Sequence, residues 1–333
     1  MALAAVLALL AASCGGSSDP SADKSGVVVA RPLAYSLTGE VDLSYHSEME
    51  MEMTTKFGEE LRRLDPSMPS TMLTQMEMSF DTTYHIEQGE EPGTYRVAMT
   101  LDDMELGKGS VQMGGQSVDL SDAPQSEIDA ALSSQMPEFV YVVDEKGTVL
   151  SVEVDGTAVD VSGILGGTSS GGVGGGQMFG PQLPEGVVNV GDTWTTSSED
   201  QIGDVVIVTE ETHKILRSEE RNGYDTWVIR TDADTSGYTI SWDDMIAMFE
   251  EMGGIEEVDG MEEMPPSFQM AMRSSPTSTT TMTWLDPELG RAVAMDVMTN
   301  MSMTMEMGGL PGITGSFSMD MDGFTHITME LTN

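Results

Sequence analysis

Glu48-Met49-Glu50-Met51-Glu52-Met53 alternates a carboxylate with a thioether at every step. Met301-Ser302-Met303-Thr304-Met305-Glu306-Met307 keeps the same period, and so does Phe317-Ser318-Met319-Asp320-Met321-Asp322. Met76 and Met78 flank Glu77 in the same way. A period of two sends successive side chains to opposite faces of a strand, so each tract predicts a sheet with a methionine face and an acidic face. One greasy face and one wet face are the mark of antiparallel sheet.

Composition narrows the function classes. The 333 residues hold 30 Met and 36 Gly, with 56 acidic residues against 14 basic ones and a net charge of −42. Such a chain repels phosphate backbones, which argues against a nucleic-acid partner. It also argues against electrostatic docking on an anionic membrane. A single cysteine allows neither a disulfide framework nor a cysteine-based zinc site.

That cysteine is well placed. Residues 1–12 read MALAAVLALLAA, too short for a bilayer span but the length of a signal-peptide core. Ala11-Ala12-Ser13-Cys14-Gly15-Gly16 follows, and small residues before a lone Cys resemble the lipobox of bacterial lipoproteins. The resemblance implies removal of residues 1–13 and lipidation of Cys14. Residues 14–26 then read as a flexible tether, and the protein is expected on the extracytoplasmic face of the cell membrane. The usual Leu of that motif is replaced by Ala11.

Strand signals continue at 93–101, 139–143, 149–154, 204–210, 226–231, 279–285, 292–297 and 326–331. Helical spacing is confined to Ser126–Met136 and Ser241–Met252, with a weaker turn at Lys56–Leu64. In the second, Met245, Met248, Phe249 and Met252 fall at i, i+3, i+4 and i+7 behind a Ser cap. Residues 163–180 carry nine glycines and no hydrophobic period, so they read as a linker. On either side the order of strands, helix and hairpin repeats. Asp144-Glu145-Lys146-Gly147 and Asp286-Pro287-Glu288-Leu289-Gly290 head matching turns. The reading is an α+β fold of two similar halves, 27–162 and 181–333. Each half is mainly curved antiparallel sheet, half-barrel-like, with a few short helices on its concave face.

The tract Leu183-Pro184-Glu185-Gly186-Val187-Val188-Asn189-Val190-Gly191-Asp192-Thr193-Trp194 resembles a Val-Gly-Asp-x-Trp signature of uncharacterised bacterial lipoproteins. More remotely, the layout is similar to the lipid-carrier folds of the LolA/LolB and LppX/LprG kind. That resemblance implies an acyl chain held between sheet and helices. It brings no catalytic residue with it.

The methionine stripes admit three readings. They are plain core. They line an adaptable pocket for an apolar ligand, which the unbranched, polarizable side chain suits. Or they bind Cu(I), with Met49, Met51 and Met53 near His46. His85 and His213 sit at matching points of two hairpins and read as half-exposed strand residues. The acidic pairs Asp102-Asp103 and Asp243-Asp244 read as solvated surface. No nucleophile and base pair up at a recognisable spacing, so no enzyme, no cofactor and no metal site is expected. The leading expectation is a membrane-anchored, non-catalytic lipoprotein carrying an apolar, lipid-like ligand. Its site would draw on Met49, Met51, Met53, Met245, Met248, Phe249, Met301, Met303 and Met305. A copper-handling surface protein and a structural module of the envelope stay as alternatives.

Overall fold

The computed structural model describes residues 31–35, 41–119, 139–154, 157–159, 180–202, 205–251, 267–309 and 315–332. The signal 1–13, Cys14, the tether 14–26, the expected helix Ser126–Met136 and nearly all of the 163–180 linker lie outside them.

The described chain is almost entirely antiparallel strand. Strands β2 (Val41–Phe57), β3 (Thr71–Gln88), β4 (Thr94–Met113), β6 (Phe139–Asp144), β7 (Val149–Val154) and β8 (Thr157–Val159) form one meander, with β5 (Gln116–Asp119) hairpinned onto β4. Strands β10 (Thr193–Ile202), β11 (Val205–Arg221), β12 (Tyr224–Thr235), β15 (Thr277–Asp286), β16 (Arg291–Gly308) and β17 (Ser316–Leu331) form another. The last strand pairs with the first long one, Met319–Leu331 against Tyr45–Phe57, so both meanders share one sheet. A separate two-stranded ladder joins β1 (Arg31–Pro32) to β9 (Val187–Val188).

Two more strands continue the second meander past a break. Strand β13 (Tyr238–Ser241) pairs with β14 (Gln269–Ser274), which pairs with β16 beyond the end of β15. Thus β14 and β15 lie on β16 as one strand interrupted at Ser275–Pro276. Proline has no N–H to give a ladder, so the strand breaks there. The facing break, at Ser236–Gly237, fits against it: a Cβ on Gly237 would sit 3.1 Å from Pro276 Cδ and 2.9 Å from Ser274 O.

The sheet curls on itself. Ile215 of β11 and Val143 of β6 share one buried cluster, although eight strand positions separate them. In a flat sheet those eight steps would span about 38 Å. Tyr35 locks the curl from inside. Its N–H donates to Glu145 O at 2.9 Å, and its hydroxyl donates to Pro181 O at 2.8 Å. Gly147, at φ +83°, lies under the Tyr35 ring, where a Cβ would be 2.7 Å from Cε2. Tyr45, Tyr84 and Tyr141 fill the same core, and Tyr45 donates to Ala292 O at 2.8 Å across the intervening β17.

This architecture corrects the α+β expectation. Two helices occur among the described residues. The first, Glu59–Leu64, buries none of its residues. The second, Trp242–Glu251, matches the expected Ser241–Met252 segment, and Ser241 Oγ accepts from Asp244 N–H at 3.2 Å as its cap. That helix sits at β13 and β14, at the sheet's margin, rather than across a concave face. The expected turn of helix at Lys56–Leu64 is present over Glu59–Leu64, with strand continuing up to Phe57 before it. The physical reason is that a curled sheet covers its own inner face: side chains from opposite ends of the strand order, with Leu33, Tyr35 and Leu183, fill the space assigned to helices.

Candidate functional site

Along β2 the odd positions turn inward: Leu43, Tyr45, Ser47, Met51, Met53 and Thr55 are buried, while Glu48, Glu50 and Glu52 are exposed. The inner face is therefore continuous, with tyrosines at one end and methionines at the other. Met51 and Met53 pack with Met76, Met301 and Met321. Ile240, Met272 and Met303 form an adjoining cluster that shares Met301 and Met321 and takes in Met245 from the helix. The two clusters make one thioether surface drawn from β3, β2, β17, β16 and β14.

Register explains how tracts so far apart in sequence meet. Met51 lies opposite Met76, Met303 opposite Met321, and Met305 between Met272 and Met319. Met53 and Met301 both face Gly323, on either side of it. A Cβ there would come within 3.0 Å of Met301 Cγ, so the glycine opens the space in which the thioethers meet. Met49, Met301 and Met305 are half-buried, and Met303 is buried. Met248 and Phe249 lie on the helix Trp242–Glu251.

His46 does not join this surface. It leaves β2 on the even, outer face, where it is exposed and 2.6 Å from Asp81. The proposed copper set is therefore split between two sides of a sheet. Among the described residues no group of three His, Cys, Asp or Glu could hold a metal. A cleft of about 240 Å³ beside Thr71 and Met113, at the β4–β5 turn, shares no lining residue with this methionine surface.

His85 and His213 are not equivalent, contrary to the reading of both as half-exposed. His85 pairs with Asp42 at 2.7 Å on the outer face, whereas His213 is 0% exposed on the inner face. Its Nδ1 meets Thr231 Oγ1 at 2.9 Å, and its Nε2 meets Thr196 Oγ1 at 2.8 Å. Thr196 Oγ1 in turn donates to Glu211 Oε2 at 3.0 Å, and Glu211 Oε2 lies 3.3 Å from His213 Nε2. A proton on Nε2 satisfies this chain, with Thr231 donating to Nδ1. Trp194 stacks on the imidazole. Glu211 is 3% exposed, and its Oε1 has no hydrogen-bond partner.

Sequence reasoning missed this cluster, but a signal for it exists. Ile207, Thr209, Glu211, His213 and Ile215 occupy alternate positions of β11, so a carboxylate and an imidazole stand where the period calls for core. The Leu183–Trp194 tract explains why the cluster is closed. Leu183 N–H donates to Lys146 O, and Trp194 Nε1 donates to Gln182 O at 2.9 Å. Gly191, at φ +96°, and Asp192 form a turn in which Asp192 Oδ2 accepts from Asn189 N–H, while Gly191 N–H donates to Ile215 O. The tract thus straps the β6–β7 turn to β10 and β11 and delivers the indole onto His213.

No protein-family model and no curated protein matches the chain. Among solved structures it is similar to Pseudomonas aeruginosa OccK5 (OpdH), at 7% identity over 88% of this chain and 98% of that one, with a TM-score of 0.20. It is similar to Salmonella typhi OmpF in a complex with daunomycin, at 7% identity over 89% and 100%, with a TM-score of 0.24. A mutant of the Rh. blastica porin follows at 6% identity over 87% and 100%, with a TM-score of 0.18. Likeness at this level assigns neither fold nor function.

Proposed function

We propose that this protein is an extracytoplasmic lipoprotein, anchored through lipid on Cys14, that binds an apolar ligand on its methionine surface without catalysis. The observation that carries the reading is the continuity of that surface. Tracts from β2–β3 and from β14–β17 converge on one inner face, and Met76, Met301 and Met321 stay only half-buried there. Thioether side chains re-pack at low cost around differently shaped apolar groups, which suits a carrier. The outer face carries Glu48, Glu50, Glu52, Asp320 and Asp322, all exposed, where a transmembrane barrel carries an apolar band. The anchor is supported by the position of the only cysteine, directly after the apolar leader.

Two measurements test the proposal. The protein, purified in mild detergent, is extracted with organic solvent and the extract analysed by mass spectrometry. Co-purifying lipid, lost in Met303→Glu, is the expected result. Extracts without lipid, together with no binding of an added alkyl probe, would remove the carrier reading. For the anchor, Cys14→Ala should move the protein from the membrane fraction to the soluble one, and unchanged fractionation would overturn it.

A further inference from the structure

The two features of the inner face, the methionine surface and the buried Glu211–His213 cluster, lie on common rows of the sheet. Glu211, Ala233, Thr279, Thr299, Thr325 and Met51 occupy mutually paired positions on neighbouring strands from β11 to β2. The next row runs His213, Thr231, Thr281, Val297, Ile327 and Met49. Paired residues leave a sheet on the same side. The first row therefore passes from a carboxylate through Ala233 and three threonines to a thioether, and the second from an imidazole through two threonines, then Val297 and Ile327, to a thioether. Five strand steps separate Glu211 from Met51, about 24 Å along the sheet and less across a curled inner face. The hydroxyl stretch is internally satisfied, with Thr279 Oγ1 and Thr299 Oγ1 2.7 Å apart. Only the ionisable end of these rows keeps an unmet demand.

That demand is Glu211 Oε1. A buried carboxylate oxygen without a donor is costly, because it has left water and gained nothing in exchange. Its sister oxygen is held by Thr196 and lies beside His213. Among the described residues no Lys or Arg pairs with Glu211, and its one ion-pair contact is His213. Oε1 therefore lacks a hydrogen-bond donor, and with the His213 proton directed at Thr196 the carboxylate also lacks a counter-charge among the described residues. A metal ion is a poor solution, since one imidazole and one carboxylate fall short of a coordination set. A protonated amine supplies the donor and the charge together, as a short charge-assisted hydrogen bond.

We infer that Glu211, held by Thr196 and His213, anchors the ammonium head of a single-chain amphiphile whose tail lies on the methionine surface. The inference rests on the apolar-ligand proposal and specifies its ligand class. Thr279, Thr299 and Thr325 beside Val297 and Ile327 give the stretch between head and tail a polarity between the two. Trp194 and the strap close the head end, which holds the Glu211 carboxylate away from competing water.

The test uses a head-group series on the full-length protein at neutral pH and high salt, which suppresses general attraction of cations to so acidic a surface. Dodecylamine, dodecyltrimethylammonium, dodecanol and dodecanoate are titrated by calorimetry. Dodecylamine should bind at least tenfold more tightly than the other three, since trimethylammonium has the charge without an N–H. Glu211→Gln should remove that tenfold preference and leave dodecanol binding unchanged. Glu50→Gln, which removes an outer-face carboxylate, should keep the preference. The inference is overturned if all four probes bind alike, or if Glu211→Gln keeps the amine preference, while the apolar-ligand proposal survives either result. If none of the four binds, both fall. Should Glu211→Gln not fold by near-ultraviolet circular dichroism, the wild-type order of amine over trimethylammonium and alcohol decides the matter alone.

Discussion

Trp194 lies almost flat on His213, with ring centroids 4.9 Å apart and planes 22° from parallel. Its indole N–H is committed elsewhere, to Gln182 O. One side chain therefore both covers the buried imidazole and ties the 180–194 strap to the sheet. Phenylalanine keeps the stack and loses only the N–H, so Trp194→Phe should cost about 1 kcal/mol, one ordinary hydrogen bond. Trp194→Ala removes the cover as well and should cost about 3 kcal/mol, the low end for a half-buried tryptophan. Urea unfolding of both variants measures the gap. Equal losses would show that the stack contributes nothing.

Two glycines with the same backbone angle separate strain from crowding. Gly147 and Gly223 both have φ +83°, but a Cβ at Gly223 meets nothing within 4 Å, whereas at Gly147 it strikes the Tyr35 ring. Gly223→Ala should cost about 1 kcal/mol, the left-handed penalty alone. Gly147→Ala should cost about 1–3 kcal/mol more, as overpacking does. Matching values would mean that Tyr35 moves aside freely and does not lock the curl.

The buried tyrosines predict an alkaline limit. Burial raises Tyr35, Tyr45 and Tyr84 well above the ordinary 10.0 and pushes Tyr141 up to about 12. Between pH 10 and those raised values the native state holds protons that the unfolded chain has released. Stability is then fully present below about pH 10 and falls as pH rises through the folded values. Tyrosinate absorbance should lag behind that of the denatured protein and then rise together with loss of near-ultraviolet dichroism. Titration near pH 10 with the fold intact would contradict the burial of these rings.

Much of this was legible in the sequence, for reasons that also mark the limit. Alternation in Glu48–Met53 and Met301–Met307 fixes which side chains share a face, because the period of a strand is geometric. Turn chemistry was legible too. Asp144 Oδ1 accepts from Lys146 and Thr148 N–H, and Asp286 Oδ1 accepts from Glu288 and Leu289 N–H, as Asp-headed turns do. Period says nothing about which strand lies alongside. The β17–β2 pairing joins residues far apart in the chain, and no local signal encodes it. Amphipathic spacing at Ser241–Met252 shows that a helix has an apolar side, not that the sheet needs it as a cover. Hairpins that echo each other in sequence need not put the matching histidine on the same face. Buried Ile86 directly follows His85 whereas buried Ile215 lies two residues beyond His213, so alternation puts one histidine outside and the other inside.

The methionine surface gives the last prediction, and it separates a binding face from a filled core. Met303 is buried beside Ile240 and Met272, with Met301 and Met321 half-buried next to it. Met303→Leu conserves volume and should cost under about 1.5 kcal/mol. Met303→Glu places a carboxylate on the same face and should cost about 3 kcal/mol or more, in the range for an unpaired buried polar group. Glu50→Gln, on the outer face of β2, should stay within about 0.5 kcal/mol. These three values test the facing of the strands, which a core and a carrier share. Replacing Met51, Met53, Met301 and Met303 together by Leu tells the two apart. A filled core loses little by this exchange and shows no other phenotype. A binding face keeps its fold but becomes stiffer, because branched Leu re-packs less readily than Met. The quadruple variant should then hold dodecanol close to wild-type strength and lose affinity, tenfold or more, for bulkier branched or ring-bearing alcohols. Identical affinities across that series in the two proteins would show that the thioethers act as packing alone.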